Sequence, residues 1–243
     1  MYISITSARI LSSIFRAFFD MPARIRKEAP KMVMKNAPKD NGLPEMKLLL
    51  RQKLAEKAGG PGALVDLYAG EGAAAMALSP SFTHVHAVER SPKKARALKQ
   101  KIFSAGHENI TVHNMDNKKF ADQVLPRVKN IAMLDFDAWG SPAPLISRVF
   151  SRFRPEGPVA VAVTDGGRLA LMRAGLTSAA ALGLSADTAM LRAPCLSADE
   201  YALLVKKLWE GLAKKRGLIV EHHTAFWRRR WRTLYYGAIV KPA

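Results

Sequence analysis

The stretch LDFDAWGSPAP, residues 134–144, places two carboxylates, Asp135 and Asp137, at the end of the apolar run NIAML and follows them at once with Trp139 and Gly140. A carboxylate at such a tip can accept hydrogen bonds from an amino group and stabilise the positive charge that develops when its nitrogen is alkylated. Asp137, the outer of the two, is the candidate acceptor, Trp139 offers a flat ring, and Gly140 lets the turn double back toward the same ligand. Asp135 either takes part in the chemistry, orients Asp137 or caps neighbouring backbone. Trp139 has plain packing as its alternative.

Three further apolar segments end in acids. VDLYAGEGAA brings Asp66 and Tyr68 to a turn containing Gly70 and Gly72, where glycines let the backbone approach a ligand and amides at a helix start can meet it. HVHAVER ends in Glu89, 23 residues after Asp66, the place for a carboxylate accepting both hydroxyls of a ribose. NITVHNMD ends in Asp116, suitably placed to meet an adenine amine. With Asp135 at the fourth tip, these residues form a candidate cofactor site. No complete G-x-G-x-x-G is present, because position 75 is Ala75.

The elements that must position these groups alternate. PEMKLLLRQKLAEKAG, KKARALKQKIFSAG, APLISRVFSRFR and SADEYALLVKKLWEGLAKKRG have helical spacing. ALVDLYAG, HVHAVER, NITVHNMD, NIAMLDFD, PVAVAVTDGG, LIVEHHTAFW and TLYYGAIVKP read as strands. This alternation predicts an α/β, doubly wound, mostly parallel seven-stranded sheet, with an antiparallel last strand because the final two strands follow each other through a short turn. Ligands bind outside the carboxyl ends of such strands, near the switch in strand order. The expected organisation is a basic, amphipathic N-terminal extension and linker over residues 1–43 and one domain over residues 44–243.

Acids at four successive strand tips resemble the Rossmann-like S-adenosylmethionine-dependent methyltransferases, and the antiparallel last strand separates the pattern from nicotinamide dehydrogenases. DFDAWGSPAP is similar to the Asp-x-Asp-Pro-aromatic-Gly-Ser-Pro stretch of the tRNA guanine-N2 dimethyltransferase family. VAVTDGG, with Thr164 and Asp165, resembles that family's fifth strand, and SADEYALLVKKLWEGLAKKRGL its following helix. The resemblance implies S-adenosylmethionine as donor, no metal, and transfer to an exocyclic amino group of a nucleobase, with guanine N2 in tRNA-like RNA foremost. A DNA amino-methyltransferase and a non-catalytic nucleic-acid-binding protein keeping the fold are the alternatives. Ala138 stands where the family has proline, and the sequence leaves no room for the family's additional C-terminal domain.

The charge balance fits a polyanionic partner. The 243 residues carry 38 basic against 20 acidic side chains, a formal net charge of +18, and 49% are hydrophobic. RNA is favoured over DNA. FWRRRWRTLYY places Arg228, Arg229, Arg230 and Arg232 among Trp227 and Trp231, and at the cofactor edge these arginines could hold phosphates while the rings stack. A solvated basic turn is the alternative. Arg9, Arg16 and Asp20 interrupt the first segment, so neither a membrane span nor a secretory signal is expected there. The single cysteine, Cys195, excludes an internal disulfide and fits a reducing, cytoplasmic setting. His222 and His223 read as strand residues and not as metal ligands.

Overall fold

The computed structural model describes residues 45–168, 176–177, 191–192, 197–228 and 233–243. The extension over residues 1–43 therefore lies outside the described residues, as do Cys195 and the arginines at 229, 230 and 232.

Helix α1 (Glu45–Ala58) buries Lys47, Leu50, Arg51, Leu54 and Ala58. Their spacing puts all five on one face, so two cations share the stripe that an apolar helix would give to its core. The chain then enters the fully buried strand β1 (Ala63–Asp66). Helix α2 (Ala73–Leu78) leads to β2 (His84–Val88), and α3 (Pro92–Ser104), capped by the Ser91 hydroxyl, leads to β3 (Ile110–His113). Helix α4 (Asn117–Gln123), β4 (Ile131–Asp137), α5 (Ala143–Arg152) and β5 (Val159–Asp165) follow.

Two short strands, β6 (Leu176–Thr177) and β7 (Leu191–Arg192), pair with each other alone. Helix α6 (Ala198–Lys215) opens on a reciprocal cap in which Ser197 accepts from the Glu200 amide and Glu200 accepts from the Ser197 amide. Strands β8 (Leu218–Arg228) and β9 (Thr233–Pro242) complete the chain's regular structure.

The main sheet has seven strands in the order β3-β2-β1-β4-β5-β9-β8. Strands β1 to β5 are parallel, and β9 runs antiparallel to both β5 and β8, as the short final connection predicts. Strand order reverses between β1 and β4, so the ligand-binding crevice belongs at the carboxyl ends of these two strands. Two strand tips differ from expectation: β2 stops at Val88 and β3 at His113, leaving Glu89 and Asp116 in the turns beyond. Among the described residues, no helix is long and apolar enough to cross a membrane.

Each face of the sheet has its own core. Leu134, Phe136, Val161, Val163, Tyr201 and Trp209 pack on the α5 and α6 side, whereas Leu64, Met133, Ala160, Ala162, Ile239 and Leu54 pack on the α1 side. Along β5 and β9 the α1 side is lined by Ala160, Ala162 and Gly237, and these small residues let the helix approach closely. A Cβ built on Gly237 would fall 2.2 Å from a Leu54 methyl, so a larger residue there would force the leucine to shift. By strand alternation Asp66, Asp135, Asp137 and Thr164 also belong to this face.

Candidate active site at the switch point

The spacing of α1 matches that of β4. Lys47 and Arg51 are one helical turn apart, about 5–6 Å between their Cβ atoms, and Asp135 and Asp137 stand two strand residues apart, about 6.6 Å. Helix and strand thus meet cation to anion twice. Arg51 donates from Nε and Nη2 to the two oxygens of Asp135, the Nη2–Oδ1 distance being 2.7 Å, and its Nη1 donates to the Lys47 carbonyl at 3.1 Å. The Lys47 ammonium donates to Asp137 Oδ2 and lies 5.9 Å from the centre of the Tyr235 ring.

Burial separates the two pairs. Side-chain exposure is 1% for Arg51 and 0% for Asp135, against 11% for Lys47 and 25% for Asp137. Asp137 is therefore the carboxylate that an external ligand can reach. Asp135 is fully buried and turns both of its oxygens to Arg51 inside the protein. Of the roles considered for it, orienting its neighbours fits this geometry.

The electrostatics follow from the same packing. Burial drives Asp66 well above the ordinary 3.8, and Asp135, its register partner on β4, adds to the rise. Burial also pushes Asp135 upward, with Arg51 the main opposing influence. At Asp137 the nearby Arg51 and Lys47 together outweigh desolvation and bring the carboxyl below 3.8. Of the three acids, the accessible one is the one whose ionised form this packing favours.

After Asp137 the chain turns sharply. The Ala138 amide donates to the Phe136 carbonyl at 3.0 Å, closing a three-residue turn centred on Asp137. A proline at 138 could not make this bond, so here a hydrogen bond holds the turn that the related motif closes with a ring. Trp139 is 99% exposed, which removes plain packing as its explanation in this arrangement. The Gly140 carbonyl accepts from the Gly166 amide at 3.1 Å, and a Cβ on Gly166 would fall 2.8 Å from the Trp139 carbonyl. The loop presenting the indole is thus anchored by its backbone to the turn after β5.

The remaining tip residues line up along the same edge. Gly70 and Gly72 have φ of 54° and 82°, and a Cβ on Gly72 would strike Leu98 of α3 at 2.0 Å, whereas one on Gly70 would meet only the Tyr68 carbonyl, at 3.8 Å. Gly72 is a packing requirement; Gly70 is the open position. Asp66, 2% exposed, accepts from the Tyr68 amide at 3.1 Å and braces this loop from beneath. Glu89 accepts from the Ser91 amide at 2.6 Å through Oε1, and Asp116 caps α4 by accepting from Lys118 at 2.9 Å through Oδ1. Each keeps one carboxylate oxygen without a hydrogen bond among the described residues. Such a set suits the hydroxyls and amine of a nucleoside-bearing cofactor.

On the opposite face Asp165 ends β5, accepting from the Gly167 amide at 2.6 Å and from the Tyr201 hydroxyl at 3.1 Å. Burial is the largest influence on it and lifts it to about 6 despite both donors. Arg228 ends β8 opposite Thr233, and β8 runs parallel to β5, so Arg228 belongs to the same edge of the sheet as the acids. His222 and His223 are strand residues, as expected, and burial brings His223 down to about 4. Among the described residues no group of three or more His, Cys, Asp or Glu side chains is arranged to hold a metal ion.

Lys47 and Arg51 do not stand out as site residues in the sequence. The available signal is their i,i+4 spacing inside the buried stripe of α1, which demands two anions with matching separation.

No family model matches the chain. A curated tRNA/tmRNA (uracil-C(5))-methyltransferase of Colwellia psychrerythraea is 31% identical over 96 residues, 40% of this chain and 26% of that protein. The chain therefore matches about a quarter of that relative's length. Among solved structures, TYW2 of M. jannaschii in complex with AdoMet superposes with a TM-score of 0.53 at 12% identity, covering 86% of this chain and 80% of that one. The protein PH0793 of Pyrococcus horikoshii gives 0.51 at 14% identity, covering 81% and 63%. These likenesses show a shared Rossmann-like fold.

Proposed function

We propose that the chain is an S-adenosylmethionine-dependent methyltransferase acting on an exocyclic amino group of a nucleobase in RNA, guanine N2 foremost. The observation that carries this reading is the pairing of a reachable, ionised Asp137 with a fully exposed Trp139 two residues on, at the carboxyl edge beside the strand-order switch. The fold shared with a protein solved in complex with AdoMet supports the donor, and the curated tRNA/tmRNA methyltransferase supports RNA as the substrate class.

Bound S-adenosylmethionine would supply an electrophilic methyl group, leaving as the thioether once the carbon–sulfur electron pair returns to sulfur. Glu89 would hold its ribose hydroxyls and Asp116 its adenine amine through their unengaged oxygens, with Gly70 giving the backbone room. On the acceptor side, Trp139 would stack on the base, repaying the few kcal/mol spent in flipping it from a helix. Asp137 would accept a hydrogen bond from the amino group and aim the nitrogen lone pair. After methyl transfer the nitrogen carries one proton too many; Asp137 takes it and passes it to solvent. The arginines at 228, 229, 230 and 232 would hold phosphates flanking the base.

The test is transfer of isotopically labelled methyl from S-adenosylmethionine to total RNA, genomic DNA and protein, followed by nucleoside mass spectrometry. N2-methylguanosine in RNA is expected. Label confined to DNA or protein, or a C-methylated pyrimidine, would overturn the acceptor; no label on any polymer would favour a binding protein. In an active preparation, Asp137→Asn should reduce kcat at least a hundredfold while leaving cofactor affinity within twofold by calorimetry, the pattern of an interaction used in the transition state.

A further inference from the structure

We propose that Lys47 is a positioning residue of the acceptor site: its ammonium occupies the Asp137 carboxylate until an acceptor amino group takes its place. The inference rests on the amino-transfer reading and extends it to a residue outside the strand tips.

Two cations on one helix hold two acids on one strand, yet only one of the pairs is built to open. Arg51 grips Asp135 with a planar fork at almost complete burial, a geometry that fixes the helix on the sheet. Lys47 makes a single-point contact to a carboxylate that is 25% exposed, through a flexible four-carbon stem. Its ammonium can therefore leave without moving α1. The Tyr235 ring gives it a second seat, being already within cation–π range at 5.9 Å. Asp137, Thr164 and Tyr235 are neighbours in register across β4, β5 and β9, so carboxylate and ring lie two strands apart on one row.

The exchange is chemically matched. The ammonium donates to Asp137 in the empty site, and an amino group would donate to the same oxygen when bound. On methylation that nitrogen becomes cationic, so the carboxylate again faces a cation at the moment when stabilisation counts. The proton then passes to Asp137 and on to solvent, and the returning lysine restores the resting pair. Among the described residues, the other ionisable groups near Asp137 are Arg51 on α1, Asp135 on β4, Asp66 on β1 and, two strands along the row, Tyr235 on β9, all buried. An acceptor lacking an amino group does not compete for Asp137, so it leaves Lys47 in place and is indifferent to the lysine, whereas an amine must displace it.

Calorimetry on the full chain with guanosine and inosine 5′-monophosphates, which differ by one amino group, reads this exchange without any turnover. Lys47→Met should bind the guanosine nucleotide at least threefold more tightly than the parent and leave the inosine nucleotide unchanged. Lys47→Arg, able to fork onto Asp137, should bind the guanosine nucleotide at least threefold more weakly. Carbon-13 NMR of the aspartate carboxyls should show the Asp137 midpoint moving upward in Lys47→Met, and urea unfolding confirms that each variant is folded. Equal discrimination between the two nucleotides in all three proteins would overturn the proposal, as would an unmoved Asp137 midpoint. If the parent methylates RNA while the lysine variants bind like it, the exchange fails alone. If nothing is methylated but the discrimination changes as stated, the exchange stands and the transferase reading fails.

Discussion

Arg51 and Asp135 meet through two parallel hydrogen bonds with 1% and 0% of their side chains exposed, which makes this pair the fixed hinge pin between the first helix of the domain and its central strand. Cutting one partner strands the other. Arg51→Met leaves Asp135 uncompensated beside Asp66 and should lower unfolding free energy by about 3–5 kcal/mol. Adding Asp135→Leu should recover most of that loss, because a buried ion pair replaced by apolar groups of similar size costs little. Urea denaturation of the single and double variants checks both; a single variant within about 1 kcal/mol of the parent would remove Arg51 from this role.

Glu89 offers a cleaner test of the proposed cofactor edge, since among the described residues only one of its oxygens is engaged. Glu89→Ala should weaken S-adenosylmethionine by about 1.5–3 kcal/mol, the scale of a hydrogen bond to a charged group. Unchanged affinity by calorimetry in a folded variant would take Glu89 out of the site.

Asp165 predicts how stability changes with pH. Its folded value of about 6 exceeds the ordinary 3.8, so between these limits the folded protein binds more protons than the unfolded chain. Stability contributed at this residue therefore falls as pH rises from about 4 to 6 and stays low above. At about 1.36 kcal/mol per pH unit, the loss is at most about 3 kcal/mol. Asp165→Asn does not titrate, so the stability of the parent minus that of the variant should fall by about 2 kcal/mol between about pH 4.5 and 7. A pH-independent difference would place the Asp165 carboxyl near its ordinary range.

The arginine run is a prediction from sequence, since only Arg228 lies among the described residues. Replacing Arg228, Arg229, Arg230 and Arg232 with glutamine should weaken RNA binding and flatten its salt dependence, by about 0.7–0.9 in log–log slope for each phosphate no longer neutralised. Cofactor affinity should hold. An unchanged slope would make the turn a solvated face and pass attention to Arg16, Arg24 and Arg26.

What the sequence reveals is whatever short spacing encodes. The alternation of apolar runs with helical segments carries the seven strands and the reversed β9, and glycines after β1 mark its turn. Glu89 and Asp116 read as strand ends, but the β2–β3 ladder closes at the Val88–His113 pair and both acids fall in the turns beyond. Asp137 reads as the acceptor and Asp135 stays open between chemistry, orienting and capping, because a strand pattern cannot say which acid is sealed by a partner. Their partners lie 84 and 90 residues away, on a helix whose cations look like ordinary surface charge. Ala138 stands where the resembled motif has proline, and its amide, which proline lacks, closes the turn with a hydrogen bond.

The contact of Leu54 with Gly237 joins an early and a late part of the chain. These residues are separated by 183 positions (237 − 54), so the helix carrying Lys47 and Arg51 is synthesised long before the strand on which it rests. A growing chain can assemble its parallel strands while Asp135 and Asp137 still await their full complement of neighbours. The ion pairs to β4 need only the first helix and the fourth strand, so the last strand adds the apolar seat of Leu54 to a helix whose cations already face the two acids.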